Sequence, residues 1–225
     1  MAGGRLPRRA GTLRGAQPAR RARGKAHPSH LREGGVRLTP ELLVECYRRG
    51  LFPMADRDGR VGLYRADPRA VLELDALHVS KSLRRVLRRG VYEVRIDHAF
   101  EAVIRACAER EETWISEEII QAFLGLHARG LAHSVEAYRQ GRLTGGLYGV
   151  TLGGAFFGES MFSRAPDASK VCLVRLVERL RERGYVLLDC QVQSDHLARM
   201  GAVEIPEAEF MRRLSVALRL PRSFA

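Results

Sequence analysis

The chain predicts an α+β fold, and three features of its pattern predict it. Three strand-like runs, 132–138, 142–150 and 154–162, follow one another with a Gln140-Gly141 turn between the first two, as in an antiparallel meander. A strongly periodic helix follows over 168–183, carrying Val171, Val174, Val177 and Leu180 and stopping at Gly184. That helix feeds an apolar run over 185–192 that reads as a strand.

The other elements have local signals of their own. Thr39 caps a first helix, Pro40 suits its first position and Gly50 closes it, with Leu42, Leu43, Cys46 and Tyr47 as the apolar stripe. The stretch 51–69, broken by Phe52-Pro53 and Asp67-Pro68, reads as irregular, and 70–74 alternates like a short strand. A basic helix over 80–89 ends at Gly90. Tyr92, Val94 and Ile96 alternate as a strand, after which Asp97 is placed to cap a helix over 98–110. Ser116 caps a helix over 117–128, with acids in its first turn and Gly130 beyond its end. A short helix over 195–200 and a last one over 206–218 complete the chain, which has no internal repeat.

Composition removes several function classes. No run approaches the roughly 18 apolar residues of a membrane span, and no apolar stretch near the start resembles a secretory signal. The four cysteines, Cys46, Cys107, Cys172 and Cys190, show no CxxC spacing and sit in apolar patterns, so they read as buried thiols of a reducing compartment. The net charge of +12 is uneven: residues 1–37 hold ten Lys and Arg against Glu33, leaving the remainder at +3. The folded body is therefore nearly balanced, and the overall charge does not by itself argue for nucleic acid. The Arg-, Gly-, Ala- and Pro-rich first 33 residues read as a disordered basic tail.

Two carboxylates stand out. Glu159 lies in Ala-Phe-Phe-Gly-Glu-Ser-Met-Phe (155–162) and Asp189 in Tyr-Val-Leu-Leu-Asp-Cys-Gln-Val (185–192), both strand-like and apolar. An ionised carboxylate is costly there unless it is paired or used. A structural ion pair is the plain alternative for either one alone. The two together, with Gln191 beside Asp189, favour a reactive site. Strand spacing puts Asp189 and Gln191 on one face and turns Cys190 to the other, as a packing residue.

Meander, long helix, strand, helix is the element order of acetyltransferase-like (GNAT) domains. A series of short strings adds a more specific resemblance. Leu51-Phe52-Pro53, Asp67-Pro68-Arg69-Ala70-Val71, Thr113-Trp114-Ile115 and Gly145-Gly146-Leu147-Tyr148-Gly149-Val150 come first, then Gly158-Glu159-Ser160-Met161-Phe162-Ser163-Arg164, Ala168-Ser169-Lys170, Asp189-Cys190-Gln191-Val192 and Asp195-His196. In this order and spacing they resemble the leucyl/phenylalanyl-tRNA–protein transferase family over about residues 34–218. The resemblance implies a cytoplasmic bacterial enzyme of the N-degron pathway. Such an enzyme moves Leu or Phe from aminoacyl-tRNA to proteins beginning with Arg or Lys. It also implies a small amino-terminal lobe, 34–75, ahead of a GNAT-like catalytic domain, 76–225, with no metal and no cofactor; a monomer is expected. The residues agree on one point: Ser163-Arg164-Ala165-Pro166-Asp167-Ala168-Ser169-Lys170 lacks the glycines with which GNAT enzymes cradle the CoA pyrophosphate.

The resemblance also implies site residues. Asp189 and Gln191 would sit at the reacting centre, Gln191 contacting carbonyl or amine, Asp189 orienting it and helping to accept the proton. Glu159 would hold the cationic acceptor. The aminoacyl side chain would lie among Met54, Trp114, Leu147, Phe156, Met161, Leu173, Leu176 and Leu188, most of which read as core without the resemblance. The tRNA phosphates would meet Lys81, Arg84, Arg85, Arg88 and Arg89, otherwise a solvated basic face. His196 reads as a structural residue of a helix start. The family has Trp where Met54 stands, a Trp pair at Leu63 and Tyr64, and Asn at Ser194. Met54 in place of Trp predicts a preference for Leu, with Met comparable and Phe weaker. The alternatives are a divergent acyltransferase with another donor and an inactive homologue that only binds tRNA or degron-bearing proteins.

Overall fold

A computed structural model describes residues 26–28 and 37–224; the remainder of the 1–33 stretch expected to be disordered lies outside the described residues. Strand β1 (Ala26–Pro28) pairs antiparallel with β3 (Val61–Ala66), which pairs antiparallel with β2 (Phe52–Ala55). Helix α1 (Pro40–Arg48) precedes them and begins as expected, with the Thr39 hydroxyl accepting from Leu42 N–H at 3.2 Å. The supposedly irregular stretch 51–69 is thus a hairpin. Its turn is held by Asp56, whose carboxylate accepts from the N–H groups of Asp58 and Arg60 at 2.9 Å each. Pro53 argued against a strand, but β2 is an edge strand, where a missing donor is tolerated.

The main sheet has seven strands in the order β10-β4-β9-β8-β7-β6-β5. These are β4 (Arg69–Val71), β5 (Glu93–Ile96), β6 (Ala132–Arg139), β7 (Arg142–Leu152), β8 (Ala155–Ser163), β9 (Leu187–Gln191) and β10 (Val203–Ile205). The meander β6-β7-β8 is antiparallel as expected, β9 runs parallel to β8, and β4 and β10 continue the sheet antiparallel. The sheet is therefore mixed, and helices flank it. The helices are α2 (Lys81–Arg88), α3 (Phe100–Ala108), α4 (Glu117–His127), α5 (Ala168–Glu182), α6 (Asp195–Arg199) and α7 (Glu207–Ala217). One apolar core gathers residues of α1, α3, α4 and α7, with Tyr148 and Phe157 from the sheet; the other gathers α5 with Leu147, Phe156 and Leu188. Neighbours Phe156 and Phe157 thus serve opposite faces, as strand alternation requires.

Asp97 does not cap α3. Its backbone is left-handed (φ 54°), and its carboxylate accepts from Ser134 N–H at 2.8 Å and meets His133 Nδ1 at 2.7 Å. α3 has no side-chain cap, and the fully buried Glu136 holds the backbone just ahead of the helix. It accepts from the N–H groups of His98 and Ala99 at 3.2 Å each and from Ser134 Oγ at 2.6 Å.

Candidate active site

The site exists because two parallel strands stop pairing. β8 and β9 are matched at Ala155–Leu187, Phe156–Leu188 and Phe157–Asp189, and no further. At the same level β8 bulges against β7: Tyr148 faces Ser160 and Gly149 faces Gly158, which leaves Glu159 without a cross-strand partner. Gly149 makes the bulge possible, since a Cβ there would stand 2.2 Å from the Phe157 carbonyl oxygen. Beyond the last matched pair the strands separate around a cleft of about 540 Å3, within the range of small-molecule sites.

Seven of the eight residues expected to hold an aminoacyl side chain line this cleft. Leu147, Met161 and Leu188 come from the sheet and Leu173 and Leu176 from α5, while Met54 comes from β2 and Trp114 from the segment after α3. The Trp114 carbonyl accepts from Ala55 N–H at 2.9 Å, which ties that segment to the hairpin. Phe156 is the exception. It is fully buried, with its ring 5.5 Å from that of Phe224, because it lies in the matched part of β8 where the strands have not yet opened.

Asp189 is not a wall of the cleft. Leu188 and Cys190 are, Cys190 also packing against the second core, and Asp189 lies on the opposite side of β9. Asp189 is fully buried and ion-paired in two-pronged fashion with Arg69, Nε to Oδ1 at 2.9 Å and Nη2 to Oδ2 at 2.6 Å. The guanidinium is itself 1% exposed, donates to the Gly50 carbonyl at 2.9 Å, and lies over the rings of Phe52 and Phe210 at 4.9 and 4.4 Å. With both oxygens on the guanidinium, this carboxylate stands in a buried structural ion pair. It also holds Gln191, through the Gln191 N–H, which donates to Oδ1 at 2.9 Å. Gln191 escapes strand alternation because its backbone is left-handed (φ 53°) where β9 ends. Its side chain lines the cleft and donates from Nε2 to Glu159 Oε1 at 3.0 Å. Arg69 had been given no role; the signal was a buried aspartate with no cation assigned to it.

Glu159 has no cation of its own. Burial pushes its carboxyl up to about 8; Asp189 adds to that, while Tyr47, Arg69 and Gln191 oppose it. Tyr47 and Tyr148 are also fully buried near it, and burial raises both phenols well above their ordinary range. His196 also lines the cleft, half-buried in α6, and burial, then Lys170 and Arg199, hold its imidazole below the ordinary value. Ser194 caps α6, accepting from Leu197 N–H at 3.2 Å. Arg110, unforeseen, lines the cleft and donates to Ser160 Oγ at 3.2 Å and to the Met161 carbonyl. Cys46, Cys107 and Cys172 are buried thiols as expected.

The basic helix is separate from this chemistry. Lys81, Arg84, Arg85, Arg88 and Arg89 are all exposed on or just after α2, which Leu83 anchors in the core, and the first four edge a shallow groove with Leu87. No helix among the described residues is long and apolar enough to cross a membrane.

Residues 71–215 match the family described as leucyl/phenylalanyl-tRNA protein transferase, and residues 37–67 match that family's N-terminal domain. A leucyl/phenylalanyl-tRNA–protein transferase of Rubrobacter xylanophilus is 88% identical over 191 residues, covering 84% of this chain and 100% of that protein. One from Gloeobacter violaceus is 56% identical over 190 residues, covering 84% and 98%. Among solved structures, L-PGS from Bacillus licheniformis superposes at TM-score 0.40 with 13% identity, over 69% of this chain and 51% of that one. Two adjacent family matches that together span most of the described residues, and this identity over the whole length of a relative, carry one conclusion: the chain belongs to the leucyl/phenylalanyl-tRNA protein transferase family of enzymes.

Proposed function

We propose that the cleft between β8 and β9 is where an aminoacyl ester, leucyl above all, is passed from tRNA to the amino terminus of a protein beginning with Arg or Lys. The observation that carries this reading is the Glu159–Gln191 pair in a cleft that also presents an apolar wall from Met54 and Trp114 to Leu188. Aminolysis of an ester already activated by its alcohol needs no covalent nucleophile. It needs a side-chain pocket, a group that orients the carbonyl, and a place for the amine and its proton.

The apolar wall from Met54 to Leu188 supplies the pocket. Gln191, with one N–H on Glu159, keeps a second N–H and its carbonyl oxygen for the substrate. Holding amine against carbonyl contributes more than deprotonation, since an α-amino group of pKa near ~8 is already roughly a tenth neutral at pH 7. Glu159, at about 8, matches that amine, so a proton passes between them at little cost in either direction. We assign the proton to Glu159 and give Asp189 and Arg69 the work of fixing Gln191. The five cations on and beside α2 meet tRNA phosphates. We read the domain as GNAT-like, because a parallel pair that splays after a meander supports it, and the reaction as cytoplasmic, within N-degron turnover, where charged tRNA is found.

The test is incubation with a charged tRNA pool and a peptide beginning with Arg, followed by mass analysis. A peptide heavier by one leucyl residue is the expected product. Hydrolysis of the aminoacyl-tRNA at the background rate, with the peptide unchanged, overturns the reading.

A further inference from the structure

The described part of the amino-terminal lobe reaches the reactive carboxyl directly. Tyr47, on α1, is fully buried, and its ring packs on Phe157 at 4.9 Å, two residues before Glu159 on β8. Its hydroxyl is buried without a hydrogen-bond partner of normal geometry, although it lies close enough to Glu159 for each group to act on the other. A phenol left in that state costs stability unless its O–H is donated to something. Two other groups bearing on Glu159 are engaged elsewhere or with it. Asp189 is held by Arg69 from β4, and Gln191 donates to Glu159 from β9. Tyr148, on β7, has a hydroxyl that is likewise buried without a partner, but Tyr47 and not Tyr148 is the phenol that opposes the rise of the Glu159 carboxyl; the Tyr148 ring is held by edge-on contacts with Phe100 and Phe123.

We propose that Tyr47 is a positioning residue of the transfer reaction: from the amino-terminal lobe, its hydroxyl donates to the ionised Glu159 carboxylate and fixes it against Gln191. The hydroxyl can donate to the ionised form but gains nothing comparable from the neutral one, so it favours loss of the Glu159 proton. The same lobe makes a second link, since the Gly50 carbonyl accepts from Arg69, which holds Asp189 and through it Gln191. The lobe therefore bears on both members of the Glu159–Gln191 pair.

This rests on Glu159 being the proton acceptor, and the experiment separates the two ideas. Glutamate labelled with 13C at the side-chain carboxyl gives a Glu159 resonance, assigned by its disappearance in Glu159→Gln. In Tyr47→Phe, which keeps the ring on Phe157, the titration midpoint rises by at least half a pH unit. Fluorotyrosine at position 47, a stronger donor of the same shape, lowers it. An unchanged midpoint in both proteins overturns the inference, as does an equal rise in Tyr148→Phe, which would make burial alone responsible. The proton-acceptor reading is tested separately with hydroxylamine as acceptor, a nucleophile already largely neutral near pH 7. If Glu159→Gln keeps the wild-type dependence of rate on pH, that reading fails whatever the resonance does.

Discussion

The β8–β9 pair has a matched half and an open half, and each holds one buried acid. In the matched half Asp189 sits opposite Phe157, fully buried, with both oxygens on Arg69. In the open half Glu159 stands at a bulge with an amide as its hydrogen-bond donor and no guanidinium. The two acids are similar in chemistry, and burial pushes the proton affinity of the second up, to about 8. On the reaction proposed above, the two halves contribute differently. A fully compensated charge stiffens the strand that presents Gln191, whereas an uncompensated one is able to exchange a proton near neutral pH.

The largest effect is expected from uncompensating the matched half. Arg69→Met leaves Asp189 buried without its cation, a change that typically costs about 3–5 kcal/mol. Melting should fall by on the order of 10 °C for a chain of this size, and transfer should be lost with it. The double variant Arg69→Met, Asp189→Leu should recover most of the melting temperature and none of the activity, because the Gln191 N–H has then lost its acceptor. Recovery of activity in the double variant would break the comparison, for it would mean that the ion pair only supports the fold. Gln191→Ala probes the presenting end itself. It should lower transfer about 100-fold while melting stays near wild type, since the side chain faces the cleft.

How much of this was legible in the sequence depended on the range of the interaction. Thr39 and Ser116 cap their helices as expected, because capping is settled within three residues, and Ser80 caps α2 in the same way. The meander and α5 were legible from periodicity. The Arg69–Asp189 pair spans 120 positions, and nothing local to Arg69 announces its partner. The bulge that frees Glu159 depends on the register of β7 against β8, which a single strand's pattern does not contain. Strand alternation put Asp189 and Cys190 on opposite faces, as found, and failed at Gln191, which does not share the Asp189 face because its left-handed backbone ends the alternation. β4 was legible as the alternating run 70–74, though it spans Arg69–Val71, whereas β10 is too short to show a period, and Phe156 was misplaced because the depth at which two strands separate is a property of their pairing.

The open half makes a pH prediction of definite sign. Glu159 titrates near 8 in the fold against an ordinary 4.5. Between those values the folded chain holds a proton that the unfolded chain has released, so this group's contribution to stability falls as pH rises through the window. Glu159→Gln removes that slope. Relative to wild type, its melting temperature should therefore improve between pH 5.5 and pH 8.5. Parallel melts at the two pH values check this, and an identical trend in both proteins would assign the window to other groups.

The smallest effect concerns which side chain the open half accepts. Met54 and Trp114 stand on the same cleft as Leu147 and Leu173, and Met54 is the flexible member of that wall. A thioether side chain adapts to branched and unbranched aliphatic donors but offers no rigid face to a phenyl ring. Apolar pockets separate similar side chains by only about 1–3 kcal/mol, so a single wall residue is enough to reorder them. Leucyl-tRNA should be a good donor, methionyl-tRNA comparable and phenylalanyl-tRNA weaker. Met54→Trp should shift the Phe-to-Leu ratio of kcat/KM upward by roughly tenfold and leave the Glu159–Gln191 chemistry untouched, visible as an unchanged pH dependence with each donor. Competition among the three charged tRNAs measures the ratio directly. If phenylalanyl-tRNA is already the best donor and Met54→Trp alters nothing, the side chain lies elsewhere in the cleft, and the open half selects its donor through α5 rather than through the amino-terminal hairpin.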